Sequence, residues 1–173
     1  MTDRPASGRP VLHTGGCQCG AIRFALHTEP RPATICHCRM CQKAFGGFFA
    51  PLATVARADL VFTRGRLRLF ASSDEVERGF CGNCGTPLSF AYNGTDTIDL
   101  ALGAFDAPAR IPVVEQIWTS ATLPAFRTLH DLPARPEDEP GYAHVVASVA
   151  ATCHQHPDHD TADWTPRPSR PAD

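Results

Sequence analysis

The sequence predicts a mainly antiparallel β domain, and three observations carry that reading. Short apolar segments with the period-two alternation of strands recur between Val11 and Leu132. Gly, Asn and Asp turn chemistry separates them, as in "TRG", "GNCG" and "YNGTD". Prolines at Pro30, Pro32, Pro51, Pro87, Pro108 and Pro112 exclude long helices from the same region.

The first ten residues, "MTDRPASGRP", read as a flexible leader without the apolar run of a signal peptide. In "AIRFAL", Ile22, Phe24 and Leu26 fall on one face, as in a half-buried strand. "LVFT", "RLRLF", "PLSFAY" and "TIDLAL" are further short strands, so residues 11–132 form one domain. Prolines then recur over residues 133–173, a Pro-rich extension in which "GYAHVVASVAAT" could make one short helix. The remainder, "HQHPDHDTADWTPRPSRPAD", has the composition of a disordered tail.

A chain of 173 residues with 43% hydrophobic and 20% charged residues is sized for one globular core. A net charge of -2 leaves no electrostatic footprint for nucleic acid or an anionic membrane. The longest apolar run, "AHVVASVAA", is too short to span a bilayer. A cytoplasmic location is expected, where eight cysteines point to metal binding or catalysis rather than to disulfides.

Seven of those cysteines lie in three clusters: Cys17 and Cys19 in "GGCQCG", Cys36, Cys38 and Cys41 in "CHCRMC", and Cys81 and Cys84 in "FCGNCG". All-thiolate ligation suits zinc or an iron–sulfur cluster, and the spacings are not those of the latter. A redox C-x-x-C would open a helix, whereas "GTPLSF" follows this one. Zinc is the better reading. The simplest division pairs Cys17 and Cys19 with Cys81 and Cys84 in a closed structural site. Cys36, Cys38 and Cys41 are then three ligands with a vacancy, the pattern of a catalytic zinc. His37 could fill the fourth position, but in an extended C-x-C the middle side chain points away from its neighbours. A zinc bearing three thiolates carries a net charge of -1 and is a weak activator of water. It suits instead a small external thiol, held as a thiolate that forms or leaves a carbon–sulfur bond.

"GGCQCGAIRF", "CHCRMCQKAFGG", "RGFCGNCGTPLSF" and "LGAFDAPARIPVVEQIW" together resemble the glutathione-dependent formaldehyde-activating enzyme family, which also includes centromere protein V. The resemblance runs from about Leu12 to Leu132. It implies a β-tent fold of two antiparallel sheets with zinc at their junction. It also implies a structural zinc on Cys17, Cys19, Cys81 and Cys84, and a second, labile zinc on Cys36, Cys38 and Cys41 where glutathione would bind. The implied reaction is reversible condensation of formaldehyde with glutathione, classed as a carbon–sulfur lyase. Gln116 and Ala125 stand where the family often has histidine and tryptophan.

Lys43, Phe45 and Gly46 are candidate substrate-binding residues: a cation for a carboxylate or thiolate, a pocket wall, and a backbone that a ligand can approach. Surface solvation, core packing and a turn are their plain alternatives, and Phe48 and Phe49 share the packing reading. Asp74, Glu75 and Glu77 read as an exposed turn. His154, His156 and His159 read as solvated tail residues with at most weak metal affinity, and Cys153 as an ordinary free thiol. The competing reading of the whole chain is a non-catalytic, zinc-stabilised binding module. A fourth protein ligand beside Cys36, Cys38 and Cys41 would favour it.

Overall fold

The computed structural model describes residues 8–139 and 141–169. Ten strands build two sheets: β1 (His13–Gly16), β2 (Arg23–Leu26), β3 (Ala33–Cys36), β4 (Ala50–Ala56), β5 (Leu60–Arg64), β6 (Arg68–Ala71), β7 (Val76–Phe80), β8 (Pro87–Tyr92), β9 (Thr97–Ala101) and β10 (Val113–Ile117). The smaller sheet runs β1-β2-β5 and the larger β10-β3-β4-β9-β8-β7-β6. The mainly β class and the two-sheet organisation match the expectation from sequence. One pairing departs from the antiparallel pattern. β10 lies parallel to β3 at the edge of the large sheet, the return of a long crossover rather than of a hairpin.

Alternation along the strands gives each face of the large sheet its own task. Ala53 and Val55 of β4, Ile98 and Leu100 of β9, and Ala91 of β8 bury one face in the main core with Phe24 and Leu26. Each of the larger of these side chains contributes about 1.5–3 kcal/mol by leaving water. The opposite face carries a row of directly paired residues, Thr54, Asp99, Phe90, Arg78 and Phe70, across five strands. The middle of that row, Asp99, Phe90 and Arg78, becomes the floor of the candidate site.

"AIRFAL" is buried on both faces rather than half-buried: Phe24 and Leu26 face the core, while Arg23, on the opposite side, is covered by Asp106 and Asp160. A short helix unread in the sequence, α1 (Arg39–Phe45), starts at Cys38, whose Sγ accepts from the Cys41 amide, and ends at Gly46 in the left-handed region. The C-terminal helix is present as α2 (Ala143–Ala151), within the predicted segment. Beyond it, residues 154–169 are not loose as composition suggested. They lie against the cysteine turns through buried His156 and a series of hydrogen bonds. Of the expected leader only residues 8–10, and of the tail only residues up to 169, fall within the described part. Among the described residues, no helix is long and apolar enough to cross a membrane.

Candidate metal centres and the adjoining cavity

Two groups of sulfurs converge, and the topology explains both. Cys17 and Cys19 sit in the turn between β1 and β2 of the small sheet. Cys81 and Cys84 sit in the hairpin between β7 and β8 of the large one. Their four Sγ atoms all lie within 4.8 Å of one another, so the group bridges the two sheets. Sγ of Cys17 is 3.6 Å from that of Cys19, which is 3.9 Å from that of Cys81. A tetrahedral zinc with Zn–S bonds of about 2.3 Å sets its sulfurs roughly 3.8 Å apart, so the group has the right size. Gly20 and Gly85 close the two turns with φ of 72° and 79°. The amide of Ile22 donates to Sγ of Cys17 and that of Asn83 to Sγ of Cys81, bonds that favour thiolate.

Crowding leaves these thiols in conflict without a cation. Burial pushes Cys17 and Cys81 above the ordinary thiol range. At Cys84 burial works in the same direction, but hydrogen bonds from the hydroxyl and amide of Thr86 outweigh it and bring the thiol down to about 6. A divalent cation removes the conflict by ionising all four together. The donor set therefore fits a closed metal site.

The second group comes from one stretch of chain. Cys36 ends β3, Cys38 caps α1, and Cys41 lies in its first turn, with their Sγ atoms also within 4.8 Å of one another. Burial pushes Cys36 up to about 12 and Cys41 upward. Burial also works upward at Cys38, where the Cys41 amide and the neighbouring thiols outweigh it and lower the thiol. This set too is suited to a cation. Among the described residues no fourth histidine, cysteine or carboxylate joins it.

His37 turns away from the group. Its Nε2 pairs with Oε1 of Gln116 at 2.9 Å, and its ring packs edge-on against Phe49 and Phe126, with the nearer centroid, that of Phe126, at 4.7 Å. Gln42 holds the same corner by donating to the carbonyls of His37 and Ala121. Gln116 therefore anchors a packing histidine.

The three thiols open on a cavity of about 320 Å³ whose lining includes Leu52, Phe90, Asp99, Ile117 and Trp118. Arg78, paired with Phe90 on the floor, donates from Nη2 to Sγ of Cys41 at 3.6 Å and lies 5.0 Å over the Phe90 ring. Asp99, next in the row, accepts from Thr54 Oγ1 at 2.6 Å, and burial pushes its carboxyl upward.

None of Lys43, Phe45 and Gly46 lines this cavity. Lys43 lies on the exposed side of α1 in a neighbouring groove, Phe45 packs against the core, and Gly46 is the helix C-cap. Sequence reasoning missed Arg78, Asp99 and Trp118. Strand alternation from Phe90 would have placed Tyr92 on the same face. The pairing that brings Arg78 opposite Phe90 was not legible.

Comparison with known proteins follows the same residues. The family model described as glutathione-dependent formaldehyde-activating enzyme matches residues 12–121. A protein of Halomonas elongata named as a putative glutathione-dependent formaldehyde-activating enzyme is 26% identical over 91% of this chain and 96% of its own length. An uncharacterized lyase of Schizosaccharomyces pombe is 34% identical over 46% of this chain, and the match spans 58% of that protein's length. A crystal structure of a Rhodobacter sphaeroides protein, 22% identical, superposes on 58% of this chain and 99% of its own with a TM-score of 0.45.

Proposed function

The chain belongs to the glutathione-dependent formaldehyde-activating enzyme family, and we propose that it joins a small thiol such as glutathione to formaldehyde or a similar aldehyde, reversibly, at Cys36, Cys38 and Cys41. The observation that carries this reading is the three-sulfur group in the wall of a cavity with no fourth protein ligand among the described residues. A zinc ion on these sulfurs would supply a cationic position where a thiol is held as thiolate at neutral pH. Cys17, Cys19, Cys81 and Cys84 would hold a second zinc with a structural role.

The chain's own groups then have separate tasks. The charge of Arg78 at Cys41 offsets the excess of three thiolates over one divalent ion. Leu52, Phe90, Ile117 and Trp118 exclude water from the reacting sulfur, while Ser72, Ser73 and Asp99 offer hydrogen bonds to the rest of the thiol. In the forward direction the thiol loses its proton, sulfur bonds to the carbonyl carbon, and the C=O π pair moves to oxygen, which takes up a proton. The reverse step breaks the same carbon–sulfur bond and classes the activity as a lyase. The need to keep both sulfur sets reduced supports a cytoplasmic location.

The test is exchange NMR of labelled formaldehyde with glutathione, beside metal analysis. Wild type accelerates exchange. Cys38→Ala stays folded, holds about one zinc fewer and gives only the uncatalysed rate. An undiminished rate in Cys38→Ala removes the reading. A wild type that holds metal but neither binds thiol nor accelerates exchange leaves a zinc-stabilised binding module.

A further inference from the structure

Residues 154–169, beyond the stretch 12–121 that the family model matches, close over the four-cysteine group at several points. The amide of His156 donates to the carbonyl of Gln18 at 2.7 Å, and Nε1 of Trp164 donates to the carbonyl of Cys19 at 2.8 Å. The two rings meet edge-on with centroids 4.7 Å apart. They sit over Gly20, where an added Cβ would lie 2.3 Å from Cδ2 of His156 and 2.6 Å from Nε1 of Trp164. Asp160 accepts from Arg23, and Arg64 donates both to the carbonyl of Thr161 and to that of Gly20, tying the segment to the first cysteine turn.

The second turn is held by one side chain. Asn83, between Cys81 and Cys84, donates from Nδ2 to Sγ of Cys19 at 3.2 Å and to the carbonyl of Arg167 at 2.7 Å, while its Oδ1 accepts from the amide of Ser169 at 2.8 Å. A segment that touches both turns and shares a side chain with a candidate ligand sulfur restrains the opening by which such a site loses metal.

We propose that residues 154–169 are an intramolecular strap that makes metal in the four-cysteine site kinetically inert. The physical reason is that release requires at least one turn to swing its sulfur away. With the strap in place, that swing also breaks the Trp164 and Asn83 bonds and uncovers buried His156. Among the described residues, nothing comparable covers Cys36, Cys38 and Cys41, which open on the cavity. The proposal rests on the metal reading of the four cysteines and not on the activity.

The test is zinc transfer from the zinc-loaded full-length protein to a chromogenic chelator, followed in time. Wild type gives a fast phase from the three-cysteine site, abolished by Cys38→Ala, and a slow phase from the other. Trp164→Ala and the milder Trp164→Phe, which keeps an aromatic ring but lacks the N–H donor, each speed the slow phase, Trp164→Ala by roughly tenfold or more and Trp164→Phe by less. Both leave the fast phase unchanged. Amide hydrogen exchange on the same variants gives reduced protection at residues 17–22 and 81–86. An unchanged slow phase in Trp164→Ala overturns the proposal, as does a wild type without a slow phase. Global unfolding of both variants overturns it as well, because the segment would then be part of the fold's core.

Discussion

Nη2 of Arg78 lies 3.6 Å from Sγ of Cys41, and the same guanidinium covers the ring of Phe90, so one buried cation serves both the sulfur cluster and the cavity floor. Three thiolates with a divalent ion carry a net charge of -1, and Arg78 brings the local sum to zero. Arg78→Gln is expected to weaken metal binding at Cys36, Cys38 and Cys41 by about 10- to 100-fold, the scale of a charge-assisted hydrogen bond. The four-cysteine site should be untouched. Competition with a chelator of known affinity reads both sites in one titration, and equal weakening of the two would refute a local role.

Gly46 separates a ligand-approach role from a capping role. Its φ is 63°, it caps α1, and an added Cβ would meet nothing within 4 Å. Gly46→Ala should therefore cost about 1 kcal/mol in a denaturant melt, from backbone conformation alone, with thiol binding at the cavity unchanged. Lys43→Ala, on the exposed side of the same helix, should be silent in both measurements. A drop in thiol affinity for either variant would restore the ligand reading.

The sequence was most legible where chemistry is local. The C-x-C, C-x-x-C and C-x-C-x-x-C spacings identify the sulfurs, and ligand number divides them four and three, because metal geometry fixes both. Short alternating segments likewise revealed β5, β6, β8 and β9. What stayed hidden depends on pairing between distant residues. Arg78 reaches Cys41 only because β7 pairs with β8 in a register that sets it beside Phe90. Residues 154–169 look solvated by composition, and their order comes from partners such as Arg23, Arg64 and Asn83 that periodicity does not predict. His37 was placed away from the sulfurs by strand geometry, whereas its box of Gln116, Phe49 and Phe126 is assembled by tertiary contacts.

Arg23, only 3% exposed, is the charge on which the small sheet and the strap converge, and Asp106 meets it with two hydrogen bonds. Burial works to raise the Asp106 carboxyl, but the guanidinium and the hydroxyl of Thr14 outweigh it and hold it below the usual carboxylate range. A depressed folded-state pKa adds stability above the unfolded-state pKa, and the benefit disappears as pH falls through the folded value. Asp106→Asn should thus cost about 3–5 kcal/mol at pH 7, where it leaves a buried cation with Asp160 alone. The gap between wild type and variant should narrow only below the ordinary carboxylate range. Urea melts of both proteins across that interval check the sign, and a gap that widened on acidification would contradict it.

Trp118 is the one non-glycine residue with positive φ among those described, at 55°, and it lies in the cavity wall beside Ile117 while exposing most of its surface. Holding an L-residue there costs about 1–2 kcal/mol, a strain that commonly persists where a side chain is needed for binding. Trp118→Gly removes that strain but adds chain entropy of about 0.5–1 kcal/mol in the unfolded state, and little packing is lost from so exposed a ring. The two effects nearly cancel, so the melting temperature should move by no more than about 3 °C. Thiol affinity should fall severalfold, because the reacting sulfur loses the wall that keeps water away. Trp118→Ala separates the contributions: it loses the same wall, keeps the strain and adds no chain entropy, so it should match the glycine variant in thiol binding and melt within about 3 °C of it. A glycine variant that melts clearly below Trp118→Ala would show that the backbone at this position is unstrained, because only the entropy cost of glycine would then remain. Unchanged thiol binding in both would remove Trp118 from the cavity's function.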